Sequence, residues 1–228
     1  MLRLKQARIL KGRKSVGLII VYLVLLFCLS SVQNPHQNDV ASASDTWYWV
    51  LGLLSLVYLA YVEKQRDIPF QFMNSVEPKW HYALFCFVGF TVSFIIAKLL
   101  GLMFAWSGIA VYSIVVHSGN DAFGIIGYAI VVAINEESFK VALTNFFTKA
   151  LGAQSKTIRS LTIATVGTSS IAVWAYLHVL FGGDSTSLAV IIFAVGIAYF
   201  LIIYGLKNYL PTTVAHAIWN AAIDFGFL

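Results

Sequence analysis

Charge is scarce in this chain. Asp, Glu, Lys and Arg make up 11% of its 228 residues, while 59% are hydrophobic and the mean hydropathy is +0.81. Soluble domains carry ~25% charged residues, so this balance excludes a soluble protein with a single anchor and predicts a polytopic membrane protein. Cysteine is equally thin. Cys28 and Cys86 both fall in apolar runs, which leaves no disulfide or zinc spacing and reads as two small core residues. Internal repeats and low-complexity segments are missing too, so the inverted repeats of many transporters are not evident. Apolar stretches run nearly end to end and leave no large soluble part. Residues 1–228 therefore read as one membrane domain.

Lysine and arginine are also missing from alternate loops. The net charge of +5 raises nucleic acid as a partner, but its distribution argues for a bilayer instead. Of the 15 Lys and Arg, 13 fall in segments that a seven-span arrangement puts in the cytoplasm. Lys98 and Lys140 lie inside spans, and no external loop carries either residue type. That is the positive-inside pattern. It predicts an integral membrane protein with a cytoplasmic N-terminus, the lipid bilayer as its surroundings and no nucleic-acid partner. Short loops and a basic N-terminus suit a bacterial inner membrane.

The expected fold is all-α, with seven transmembrane helices around an intramembrane polar cavity. Val16–Val32 reads as an uncleaved signal anchor, because Ala41-Ser42-Ala43 lies too far beyond the apolar run for usual cleavage. Trp47–Val62 and Tyr82–Phe104 follow as spans. In residues 106–123, GIAVYSIVV is too short to cross alone and reads as interfacial or re-entrant. Residues 1–123 thus hold three leading helices and an interfacial segment. Residues 124–228 hold a four-helix core: Gly124–Phe147, Leu161–Leu180, Leu188–Leu206 and a last helix from Pro211 to Leu228.

Within that core the charge that remains is concentrated. Glu136 and Glu137 sit in the middle of an otherwise apolar helix, where each acid costs ~2.5–3.5 kcal/mol on insertion scales. Glu136 and Lys140 share a face, and Glu137 is turned by about 100°. Lys140 is spaced to pair with either acid. A buried ion pair alone does no more than fix packing. His178 follows Trp174 by one turn, and His216, Asn220 and Asp224 form a stripe on the last helix. Taken alone, each of these sets reads as ordinary core or helix-to-helix hydrogen bonding.

Together they are more specific. Successive spans carry E-E-x-x-K (Glu136, Glu137, Lys140), W-x-x-x-H (Trp174, His178) and H-x-x-x-N (His216, Asn220). Residues Gly124–Phe225 in this respect resemble the CAAX-protease and bacteriocin-processing family of glutamate-dependent intramembrane proteases. The type II CAAX prenyl endopeptidase is its eukaryotic member. The family's motifs are E-E-x-x-x-R, F-x-x-x-H and H-x-x-x-N. Here Val141 stands at the arginine position, with Lys140 one residue earlier, and Trp174 replaces phenylalanine. E-E-x-x-K resembles the variant in related bacterial proteases that cleave anti-sigma factors.

The resemblance implies an endopeptidase acting on a membrane-bound or membrane-proximal protein or peptide. Glu136 would activate water, His178 would help hold it, and His216 with Asn220 would stabilise the oxyanion. Glu137, Lys140 and Trp174 would support them. It implies no cofactor. Two histidines and a glutamate also suit zinc, although H-E-x-x-H spacing is absent, and zinc is kept as the minor alternative. A non-catalytic scaffold or immunity protein and a proton-coupled transporter are the other readings. One tension stands against the protease. With every helix starting at a membrane surface, His178 and His216 would lie ~15–20 Å apart in depth, and catalysis requires them to meet.

Overall fold

The computed structural model describes residues 43–63, 69–72, 79–111, 122–151, 155–182 and 184–225. The expected first span, Val16–Val32, with its basic flank lies outside them, as does most of the 106–123 segment. The described residues form six helices: α1 (Ala43–Val62), α2 (Lys79–Trp106), α3 (Ala122–Leu151), α4 (Lys156–Gly182), α5 (Thr186–Leu206) and α6 (Leu210–Asp224). No strand forms among them. One isolated parallel bridge joins Gln71 to Asn208.

The helices match the apolar runs, with ends that reach past them. Within α2, α4 and α5, the stretches Trp80–Trp106, Lys156–Leu180 and Thr186–Leu206 are long and apolar enough to cross a membrane, and Trp49–Val62 of α1 is a shorter apolar helix. The chain is thus a multi-pass membrane protein. α2 turns large side chains outward along its length, including Leu84, Phe87, Leu99 and Met103, as a lipid-facing helix does. The last helix differs from expectation. It spans 15 residues, or about 22 Å at 1.5 Å per residue, less than the ~30 Å hydrocarbon core.

Packing places α3 at the centre. It touches α1, α4 and α6, while α5 packs on both α4 and α2, and α2 on α6. Helices α3, α4, α5, α2 and α6 therefore close a ring, and α1 lies outside against α3. Every residue of α3 from Val131 to Ala142 is buried. A helix buried all round needs partners for whatever polar groups it carries. Close approach elsewhere depends on small residues. A Cβ on Gly167 of α4 would lie 2.2 Å from the Phe200 ring of α5, and one on Gly196 would lie 2.5 Å from Ile171.

A strap from the α1–α2 connection covers the start of α6. Asn145 of α3 accepts a hydrogen bond from the Phe70 amide (3.2 Å) and donates to the Phe70 carbonyl (3.0 Å). Glu63 accepts from the Phe72 amide at 2.7 Å. The Gln71 amide donates to the Lys207 carbonyl, and the Tyr209 amide donates to the Gln71 carbonyl, both at 3.1 Å. Phe70 is fully buried and meets Phe200 edge-on. As a result, Asn208, Tyr209 and Thr212 at the α5–α6 junction are almost completely buried. The last helix begins inside the protein, not at its surface.

Candidate active site

The sequence Asn135-Glu136-Glu137-Ser138-Phe139-Lys140 crosses the middle of α3, and all six residues are buried. Glu137 is 1% exposed. Its Oε1 accepts from Lys140 Nζ at 2.5 Å and lies 3.0 Å from His216 Nδ1. Lys140 thus pairs with Glu137, three residues earlier, so one buried charge offsets the other and the histidine adds a third partner. A pocket of about 10 Å³ lies beside this pair, between Thr144 and the Phe70 and Phe200 rings. It has room for about one water.

Glu136 is held differently. Trp174 of α4 donates its indole N–H to Glu136 Oε2 at 2.9 Å. Phe139 packs on the Trp174 ring and His178 meets it edge-on, with centroids 5.1 and 5.6 Å away. Two imidazoles converge on the same carboxylate. His178 Nε2 is 3.7 Å from Oε1, and His216 Nε2 is 3.6 Å from Oε2. Both separations exceed a normal hydrogen bond. His178 Nε2 is buried and has no hydrogen-bond partner among the described residues. Its other nitrogen, Nδ1, lies 3.0 Å from Asp184 Oδ2. Each histidine therefore contacts a carboxylate through Nδ1 and presents Nε2 to one oxygen of Glu136.

Six of the seven residues singled out in the sequence thus meet at one place: Glu136, Glu137, Lys140, Trp174, His178 and His216. The expected separation in depth does not occur. It assumed helices that all begin at a surface, whereas α6 starts beneath the 69–72 strap and carries His216 inward. Asn220 lies one turn beyond His216 on the same helix and is half-buried. Among the described residues no hydrogen bond joins it to the cluster. Asp184, which also meets the cluster, was not anticipated. The sequence held a faint signal, a Gly-Gly pair between His178 and Asp184. Among the described residues no group of three or more His, Cys, Asp or Glu side chains is arranged to hold a metal ion.

The arrangement offers a carboxylate with one oxygen fixed by an indole N–H and two imidazole nitrogens facing it across gaps too wide for direct bonds. A molecule such as water, ~2.8 Å from each partner, can bridge groups spaced this way only from the side of the line that joins them. Comparison with curated proteins and with solved structures found no match. Residues 120–222, which contain every residue of the cluster, match the family model Type II CAAX prenyl endopeptidase Rce1-like.

Proposed function

We propose that this protein is an intramembrane endopeptidase that uses Glu136 as its general base. The observation that carries the reading is the convergence of two oriented imidazoles on one buried carboxylate. Glu136 Oε1 takes a proton from water, and the water oxygen attacks the peptide carbonyl carbon. Trp174 holds Oε2 and so leaves Oε1 to the water. The resulting oxyanion accepts hydrogen bonds from His216 Nε2–H and from the Asn220 amide, the type of stabilisation that is usually the largest single contribution to catalysis. His216 donates there when both its nitrogens carry protons, with Nδ1–H kept on Glu137. The C–N bond then breaks, and the proton held by Glu136 passes to the leaving amine. Both products are thus accounted for without a covalent intermediate.

The substrate on this reading is a membrane-bound or membrane-proximal peptide. The matched family's name makes a prenylated CAAX C-terminus the first class to try. The test is cleavage of a prenylated CAAX peptide by the full chain in liposomes, for the parent and Glu136→Gln, with and without a chelator. Removing a general base costs about 10²–10⁴-fold. The reading requires at least that loss, and it requires that chelation leave the parent unaffected. Loss on chelation with recovery on zinc would replace the mechanism with a metal-assisted one. Equal rates in parent and variant would remove Glu136 from it.

One observation favours a second reading. Glu137, His216, Glu136, His178 and Asp184 alternate acid and imidazole in one unbroken series of contacts at 3.0–3.7 Å. Such a series suits a proton path in a transporter. Proton flux across parent liposomes that Glu136→Gln abolishes, without peptide cleavage in the parent, would decide for it.

A further inference from the structure

We infer that Asp184 is the positioning residue of His178, which makes the α4–α5 loop a working part of the site. Four observations converge. Asp184 is only 4% exposed, although it sits in a short connection, and a buried carboxylate persists only when paired. It grips His178 twice, with Oδ2 3.0 Å from Nδ1 and its own amide donating to the His178 carbonyl at 3.2 Å. Its loop is fixed on the far side as well. Ser185 Oγ caps α5 by accepting from the Leu188 amide, while Ser187 Oγ donates to the Ala110 carbonyl beyond α2 and contacts Ser185. Finally, Nε2 of the same ring is buried, without a hydrogen-bond partner among the described residues, and directed at Glu136.

The chemistry follows from what a carboxylate can do. An ionised Asp184 only accepts, so Nδ1 carries a proton and Nε2 is the nitrogen left to react. Neutral His178 then accepts a hydrogen from the water that Glu136 activates. The same ring protonated at Nε2 donates a hydrogen bond toward Glu136, and the proton that reaches the leaving amine is still the one Glu136 took from water. In both forms Asp184 decides which nitrogen faces the reaction. The groups that face His178 are Asp184 from the loop, Glu136 from α3 and Trp174 from its own helix. The parallel with His216 is close, since Glu137 holds Nδ1 of that ring in the same manner.

The test does not depend on a known substrate. The full chain, with ¹⁵N-labelled histidine, is reconstituted in bilayer discs, and His178→Gln identifies the His178 signals by difference. In the parent, Nδ1 stays protonated through a pH titration and only Nε2 titrates. In Asp184→Asn, nearly the same size, the neutral ring shares its proton between both nitrogens. Asp184→Ala gives the same result if the amide happens to reproduce the contact. A second measurement rests on the protease reading: cleavage of the prenylated CAAX peptide by Asp184→Asn falls about 10²-fold, in kcat and not in KM. Unchanged His178 signals in both variants, each with parental thermal unfolding, would overturn the role of Asp184. A parent that cleaves nothing sinks the protease reading, and the tautomer result still stands or falls by itself.

Discussion

The two histidines reach Glu136 by different routes. His216 is anchored from within the core. Its partner Glu137 neighbours Glu136 on α3, is 1% exposed, and is itself held by Lys140. His178 is anchored from the edge, by an acid in a short loop, and its side chain is more exposed, 21% against 13%. Equivalent geometry at the carboxylate thus rests on a buried ion pair on one side and on a loop contact on the other. Disturbing the first removes fold and site together. Disturbing the second leaves the helices in place and frees one ring.

That contrast can be broken at several points. The largest effect is expected from Lys140→Met. It leaves Glu137 as a buried charge supported by a histidine alone, and removing one partner of such a pair costs about 3–5 kcal/mol. Thermal unfolding in detergent should fall steeply, whereas Asp184→Asn should unfold near the parent. A comparable loss in both variants would abolish the distinction. Next in size is Asn145→Ala, which orphans two backbone groups of the buried strap. At ~1–3 kcal/mol for each unsatisfied group, it should lower stability and increase hydrogen exchange at residues 69–72.

Gly167→Ala sharpens the comparison from the α4 side. A Cβ there would meet the Phe200 ring at 2.2 Å, and overpacking of this kind costs about 1–3 kcal/mol. Because α4 carries both Trp174 and His178, the variant should lose more activity than stability, and Phe200→Leu should restore both. The smallest effect belongs to Ser185→Ala. Loss of the α5 cap costs ~1 kcal/mol, measured as a small drop in unfolding temperature. A larger loss of activity than of stability would show that the cap also steadies Asp184.

What the sequence made legible follows from spacing. E-E-x-x-K, W-x-x-x-H and H-x-x-x-N each fix a face of one helix, but only their combination, and the family it resembles, singles out Glu136, His178 and His216. Apolar runs gave most helix positions for the same reason. Contacts between distant segments were out of reach. Asn145 holds Phe70 across 75 residues, and nothing in either neighbourhood announces it. The strap also sets the depth of His216, and hydropathy gives the length of a run and not where the helix begins within the protein. Asp184 escaped because its role depends on a chain reversal, and an acid after Gly-Gly looks like any solvated loop residue.

On the protease reading Glu136 and its two imidazoles act as a single unit, and the most direct measurement is kcat for prenylated CAAX peptide in liposomes across Glu136→Gln, His178→Ala, His216→Ala and their pairwise combinations. Residues that act as a unit are strongly non-additive. The prediction is that each combination is no slower than its worst single member. Losses that multiply from variant to variant would contradict it and would mean that the two histidines act independently of Glu136.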